Sequence, residues 1–178
     1  MEISLIGAVN SLGYGYTTLH IVDELIKLGH KVNLFPIGQP ECHPRHANNI
    51  RLALQNSDTF STKCPCIRIW HQHDMSMFVG HGKHIGFPIF ELDTFTDKEK
   101  HHLGNCDELI VCSRWALNVC ATNLFEIDKN KPIKIVPLGV DTSVFTQKLS
   151  KRKPTIFLNI GKWEIRKGHD ILVNAFNT

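Results

Sequence analysis

Residues 3–37 read ISLIGAVNSLGYGYTTLHIVDELIKLGHKVNLFPI, and this stretch holds the pattern that decides the fold. Residues 3–8 form a near-continuous apolar run, which is typical of a parallel strand covered on both faces. A glycine-bearing loop follows. Apolar positions then recur at helical spacing over residues 17–28, and Gly29 ends that helix. A second apolar run at residues 31–37 predicts the next strand, so the order is strand, helix, strand.

The same alternation continues to residue 138. Apolar runs at residues 67–71, 85–90, 108–112 and 133–138 predict four more strands, and helices are predicted at residues 44–54, from Thr96 and after Ser113. Glu99 follows Thr96 at the spacing of a capping box. Repeated strand–helix units predict an α/β fold, a Rossmann-like doubly wound parallel sheet.

Residues 154–178, PTIFLNIGKWEIRKGHDILVNAFNT, predict the start of a second domain. The apolar run at 156–160 predicts a buried parallel strand ended by Gly161, and a helix follows. Residues 146–153 are polar and basic without apolar periodicity. We therefore expect a first domain at 1–146, a linker at 147–153, and a truncated second Rossmann-like domain at 154–178.

Composition excludes several classes of protein. The chain has 178 residues, 42% hydrophobic and 21% charged, which is ordinary for a globular protein. A formal net charge of +3 without a dense Lys/Arg block gives no indication of a nucleic-acid partner. No apolar run is long enough for a transmembrane segment, and the N-terminus lacks a signal-peptide layout. We expect a cytoplasmic protein.

The cysteines do not predict a disulfide framework or a metal site. Six cysteines are scattered along the chain, and free thiols are the default for an intracellular protein. Cys64 and Cys66, followed by His71 and His73, raise the question of zinc. Their C-x-C spacing differs from the usual C-x-x-C knuckle, so we expect no metal.

Glycines follow the first predicted strand, at the edge of the sheet where such folds bind ligands. Gly13, Tyr14 and Gly15 can let backbone amides approach an anion or a sugar, or they can form a tight turn. The third glycine of G-x-G-x-x-G is missing, which disfavours a dinucleotide site and a Rossmann-type dehydrogenase.

Polar side chains follow the later strands at the same edge. His73 and Asp74 come after the third strand, either as ligand-binding groups or as exposed turn residues. Glu91 comes after the fourth strand. Ser113 follows the fifth strand, where a serine also serves as a helix N-cap.

Three cations precede the last predicted helix. Lys162, Arg166 and Lys167 fall between the predicted strand and the helix that follows it. A helix N-terminus has unpaired N–H groups and a positive dipole end, so cations there favour a phosphate or diphosphate. The alternative is a surface loop whose charges only favour solubility.

Several segments together resemble glycosyltransferase family 4, the group 1 glycosyltransferases of the GT-B fold. They are residues 86–119 (GFPIFELDTFTDKEKHHLGNCDELIVCSRWALNV), 135–145 (IVPLGVDTSVF) and 157–176 (FLNIGKWEIRKGHDILVNAF). The most specific pieces are PLGVD with Phe145 and the G-K-x-x-x-x-K-G element from Gly161 to Gly168. The resemblance spans Gly7 to Phe176.

The resemblance implies a sugar transferase with a nucleotide-sugar donor, a hydroxyl acceptor such as a glycan, and retention at the anomeric carbon. It places the donor-phosphate cation pair on Lys162 and Lys167, with Arg166 beside them, and places His73 near the transferred sugar. Glu91 and Ser113 match cleft positions. No cofactor is implied.

The resemblance also implies that most of the donor domain is missing from these 178 residues. We therefore expect little transfer by the chain alone, unless a further segment or a partner supplies the rest. A non-catalytic sugar- or nucleotide-binding module is the alternative.

Overall fold

A computed structural model describes residues 1–146 and 156–177. The strands are β1 (Glu2–Ala8), β2 (Lys31–Ile37), β3 (Cys66–Trp70), β4 (His84–Pro88), β5 (Glu108–Val111) and β6 (Ile133–Ile135). The α-helices are α1 (Gly13–Lys27), α2 (Pro44–Asn56), α3 (Asp97–Gly104), α4 (Arg114–Leu124) and α5 (His169–Phe176). Short 3-10 helices occupy Ser57–Thr59, Gln72–Asp74 and Ile165–Lys167.

The six strands form one sheet in the order β2-β1-β3-β4-β5-β6, and every neighbouring pair is parallel. The predicted Rossmann-like α/β fold with a parallel sheet is thereby confirmed. Successive strands first build outward from β1 to β2 and then return to the other side of β1 with β3. The reversal makes the gap between the ends of β1 and β3 a topological switch point, where open α/β sheets bind ligands.

Two clusters of buried side chains stabilise the sheet and its helices. The first joins β1, β2 and β3 to α1 and α2. Its fully buried side chains include Leu5, Val22, Leu34 and Ile69. The second lies around β5, α3 and α4. Each fully buried leucine or valine contributes roughly 2 kcal/mol by removal from water, so these clusters hold the strand ends in place.

Helix α1 begins at Gly13, so the prediction of a loop through residue 16 was wrong. Gly13, Tyr14 and Gly15 form the first turn of the helix. Gly15 is buried against Asn10, where a Cβ would overlap the Asn10 backbone. The side chain of Asn10 also accepts a hydrogen bond of 3.0 Å from the backbone N–H of Leu12. Gly15 therefore serves a close approach of the helix to the end of β1, whereas a Cβ at Gly13 would meet no atom within 4 Å.

The predicted strand at residues 156–160 was also wrong, because those residues adopt no strand structure. Their apolar side chains are exposed, Ile160 at 83%. A strand needs a neighbour for its backbone hydrogen bonds, and the apolar pattern alone does not supply one. Strands β4 and β6 also end earlier than predicted, at Pro88 and Ile135.

The chain divides into two compact units, Met1–Gly139 and Val140–Thr178, and each is described by itself. The predicted domain boundary at residue 146 falls within the second unit. The predicted linker at 147–153 lies outside the described residues, as do residues 154, 155 and 178. Within the described ranges, no helix has the length and apolar character needed to cross a bilayer.

Candidate functional site at the carboxyl edge of the sheet

The phenol of Tyr14 connects three elements at the switch point. Its hydroxyl donates to the backbone carbonyl of Ile89, with 2.8 Å between the two oxygens. The same hydroxyl lies 2.9 Å from Nδ1 of His71. Tyr14 belongs to the first turn of α1, His71 follows β3 and Ile89 follows β4. One side chain therefore fixes the relative positions of these three segments.

Aromatic rings surround this contact. The Tyr14 ring centroid lies 5.2 Å from that of Trp70 and 4.6 Å from that of His71. The rings of His71 and His73 stack at 5.1 Å with an interplanar angle of 17°. His71 is half-buried, whereas His73 is exposed. The carboxyl end of β3 thus presents two stacked imidazoles, one anchored and one open to solvent.

Burial keeps the anchored groups neutral near pH 7. Burial raises the pKa of Tyr14 to about 12, and the nearby charges of Glu91 and Cys112 act in the same direction. Burial also lowers the pKa of His71, and the neighbouring His73 lowers it further. The site therefore offers an uncharged phenol and an uncharged imidazole, which favour hydrogen bonding to neutral polar groups.

Asp74 lies at the same strand end, but Arg68 binds both its carboxylate and its backbone carbonyl. Nη2 of Arg68 lies 2.6 Å from the Asp74 carboxylate, and Nε of Arg68 donates to the Asp74 backbone carbonyl at 2.6 Å. The Arg68 side chain is only 6% exposed, and a buried guanidinium needs such partners. Asp74 thus anchors the segment after β3, and its predicted substrate-binding role stays a prediction.

A second buried contact, between Gln72 and Glu99, also anchors the segment after β3. The side-chain amide of Gln72 donates to Glu99 at 2.8 Å, and Glu99 completes the capping box with Thr96 at the start of α3. The capping box was predicted from its spacing and is confirmed. The bond from Gln72 was not predicted, because residues 72 and 99 are remote in sequence and their meeting depends on the strand order.

Glu91 and Ser113 are exposed at the same edge of the sheet. The charge of Glu91 acts on the Tyr14 hydroxyl. Ser113 caps α4, its Oγ accepting a hydrogen bond of 3.1 Å from the backbone N–H of Ala116. The capping role of Ser113 is confirmed, and a ligand-binding role for it stays a prediction.

The predicted cations belong to the second unit. Lys162 and Lys167 are exposed, and neither forms an ion pair within the described part of the chain. Lys167 ends a 3-10 helix and directly precedes Gly168, whose φ of +66° joins that turn to α5. The side chain of Arg166 lies outside the described part.

His169 organises the loop that carries Lys162. Its Nε2 donates to the backbone carbonyl of Lys162 at 2.9 Å, so its Nδ1 can accept from the side chain of Asn159 at 3.1 Å. The Trp163 ring stacks on the His169 ring at 4.9 Å and 8°. The sequence pattern did not predict this role for His169.

The described residues include no group of three His, Cys, Asp or Glu side chains that could hold a metal ion. All six cysteines are free. Cys64 and Cys66 are buried near Ser4 and Asn33; Ser4 Oγ lies 3.2 Å from Cys64 Sγ.

The fold and this edge define the class of the protein as a parallel, Rossmann-like α/β protein. A comparison of the chain with protein-family models gives no match. A comparison with curated proteins gives none either.

Proposed function

We propose that the protein takes part in glycosyl transfer from a nucleotide sugar to a hydroxyl acceptor, with retention at the anomeric carbon. The observation that carries the proposal is the contact of Tyr14 with His71 and Ile89. This contact connects the start of α1 to the segments after β3 and β4, at the switch point where open α/β sheets bind ligands. The motif resemblance supports the same reaction class.

The proposed division of roles follows the chemistry of each group. Neutral polar groups and the backbone at the start of α1 suit a sugar, which is uncharged and rich in hydroxyls. Lys162 and Lys167 suit the diphosphate, which gains negative charge as the glycosidic bond breaks. Lysine at position 162 gives the charge without the two-pronged geometry of arginine.

Proton transfer in this proposal needs no additional protein base. The departing phosphate oxygen takes the proton of the acceptor hydroxyl as the new bond forms. Glu91 and Ser113 then orient the substrates at the edge, with His73 stacked beside His71. The nucleotide sugar is consumed as a substrate, and the proposal includes no separate cofactor. The other proposal, a non-catalytic sugar- or nucleotide-binding module, uses the same edge without the chemical step.

Titration of the isotope-labelled protein tests the proposal. UDP-glucose, GDP-mannose, UDP, GDP and NAD⁺ are added separately, and amide shifts are followed while released nucleoside diphosphate is assayed. We expect nucleotide sugars to shift Gly13, Tyr14 and His71. Shifts without release, even with acceptor sugars present, support the module. Absence of any shift with either nucleotide sugar contradicts both proposals, and a shift with NAD⁺ alone favours a dehydrogenase.

A further inference from the structure

The hydrogen bonds of Tyr14 determine which nitrogen of His71 carries the ring proton. A backbone carbonyl only accepts hydrogen bonds, so the single hydroxyl proton of Tyr14 is directed to Ile89. The Tyr14 oxygen must then accept from His71, and the donor at 2.9 Å is Nδ1–H. A neutral imidazole carries one proton, so the lone pair of His71 lies on Nε2.

Nε2 of His71 is available to a ligand. No described residue forms a hydrogen bond with it, and the one buried side-chain atom without a partner in the described part of the chain is Oδ1 of Asn33. Nε2 is therefore accessible to solvent at the switch point.

Three aromatic neighbours hold the ring that carries this lone pair. His71 contacts Tyr14 at 4.6 Å, Trp70 at 5.1 Å and His73 at 5.1 Å between centroids. Rotation of the imidazole would break the bond to Tyr14 and lose these packed surfaces. The acceptor direction is thus fixed before a ligand arrives, which lowers the entropy lost on binding.

We propose that Tyr14 is a positioning residue that holds His71 with Nε2 outward, to accept a hydrogen bond from a sugar hydroxyl. The proposal rests on the proposed function, and it makes His71, rather than His73, the histidine that contacts the sugar. A lone pair repels phosphate and carboxylate oxygens, so this position selects a neutral hydroxyl group. The diphosphate must lie elsewhere.

His73 has a different role in this arrangement. It is exposed, and its ring stacks on the ring of His71. A positive charge on His73 would disfavour protonation of His71, in line with the lowered pKa of His71. His73 therefore helps to keep His71 neutral and able to accept.

The first arm of the test uses no ligand. Long-range ¹H–¹⁵N spectra of the histidine rings at pH 7.5 report which nitrogen is protonated. We expect Nδ1–H for His71 in the wild type and a mixture of tautomers in Tyr14→Phe, which keeps the ring but removes the hydroxyl. Tyr16→Phe is the matched control, since its hydroxyl lies two residues further on α1 and forms no hydrogen bond in the described part. A wild-type His71 protonated at Nε2 overturns the proposal.

The second arm adds UDP-glucose or GDP-mannose, each compared with UDP or GDP. We expect the sugar-bearing ligands to move the His71 Nε2 resonance and the bare nucleotides to leave it in place. His71→Ala should weaken nucleotide-sugar binding about tenfold, the loss of one good hydrogen bond, without weakening binding of the bare nucleotide. His71→Gln keeps an acceptor near the position of Nε2 and should recover part of the affinity.

The two arms separate the failure of this inference from that of the proposed function. If nucleotide sugars bind equally to the wild type and to folded His71→Ala, the role of His71 is wrong while the proposed function stands. If neither nucleotide sugar binds, the proposed function fails, and the sugar contact of His71 fails with it even where the tautomer is as stated.

Discussion

Nδ1 of His46 lies 2.5 Å from Oδ2 of Asp23, and the two side chains are 3% and 12% exposed between α2 and α1. Arg45 donates from Nε to the other ring nitrogen of His46 at 2.8 Å, so Nδ1 carries the proton and donates to Asp23. Asn49 donates to the second carboxylate oxygen at 2.9 Å. One carboxylate on α1 thus satisfies two donors from α2 and fixes the two helices against each other.

Replacing Asp23 by Ala should lower the free energy of unfolding by about 3 kcal/mol, because His46 and Asn49 would both lose an ionised, buried acceptor. Urea unfolding followed by circular dichroism measures the change. Glu24→Ala is the control, since the adjacent Glu24 is 63% exposed in a surface pair with Lys27, and its loss should change stability by about 0.5 kcal/mol or less. Equal effects of the two substitutions would refute the structural role of Asp23.

Replacing Gly15 by Ala should destabilise the protein by about 2 kcal/mol, because the new Cβ would overlap the backbone of Asn10. Gly13→Ala is the matched control on the same helical turn. A Cβ at position 13 meets no atom within 4 Å, so that variant should unfold at or slightly above the wild-type temperature. Thermal unfolding compares them. If Gly15→Ala is as stable as Gly13→Ala, the close approach of α1 to the end of β1 is not what requires glycine.

The difference between these two glycines shows where sequence patterns reach their limit. Both glycines predicted a loop, since glycine weakens a helix interior. Gly15 is nevertheless needed inside the first turn because of Asn10, a contact that depends on how tightly β1 leads into α1. The helix was predicted correctly from residue 17 onward, where apolar periodicity is the signal.

Local spacing predicted the features that depend on one segment alone. The Thr96–Glu99 capping box follows from residues three positions apart, and the Ser113 cap follows from a serine at the start of a helix. Both are present. The apolar run at 156–160 failed as a predictor because a strand is defined by its neighbour as well as by its own residues. The parallel sheet itself was predictable, because helices follow most of the six apolar runs.

The central contact of the candidate site could not be predicted in the same way. Tyr14 and His71 are 57 residues apart, and they meet because β3 lies next to β1 in the sheet. The sequence placed both residues at strand ends but gave no order of strands. The family resemblance singled out His73, whereas the hydrogen-bond geometry identifies His71 as the anchored imidazole.

The stability of the protein should fall as the pH is lowered through about 6.5, and His102 should account for part of that fall. The backbone N–H and the hydroxyl of Ser76 both point to Nδ1 of His102, at 3.3 and 2.7 Å, so that nitrogen must be an acceptor. Burial lowers the pKa of His102 from the ordinary 6.5. The neighbouring charges that act on it are those of Asp74, Lys98, His101 and His73.

The sign follows from proton linkage. The unfolded chain takes up the proton at a higher pH than the folded protein does, so the contribution is fully present above 6.5 and is lost as the pH falls toward the lowered folded pKa. His102→Asn places a non-titrating oxygen near the position of Nδ1. Urea unfolding from pH 7.5 to 5 should therefore show a shallower loss of stability in this variant, with His71 contributing equally to both proteins. An unchanged slope would contradict the role of His102.

Replacing Lys167 by Ala should reduce the rate of glycosyl transfer by on the order of 10²-fold, by analogy with removal of one donor that stabilises a developing negative charge. The exposed ammonium directly precedes Gly168 and the start of α5, where backbone N–H groups also favour an anion. Where transfer is too slow to measure, titration with UDP and GDP gives the same comparison, and the variant should bind both more weakly.

Lys167→Arg keeps the charge and should retain most of the binding. Lys129→Ala removes another exposed lysine, from the loop before β6, and should behave as the wild type. If the losses for Lys167→Ala and Lys129→Ala are equal, the effect is one of net charge, and the diphosphate is not held at this turn.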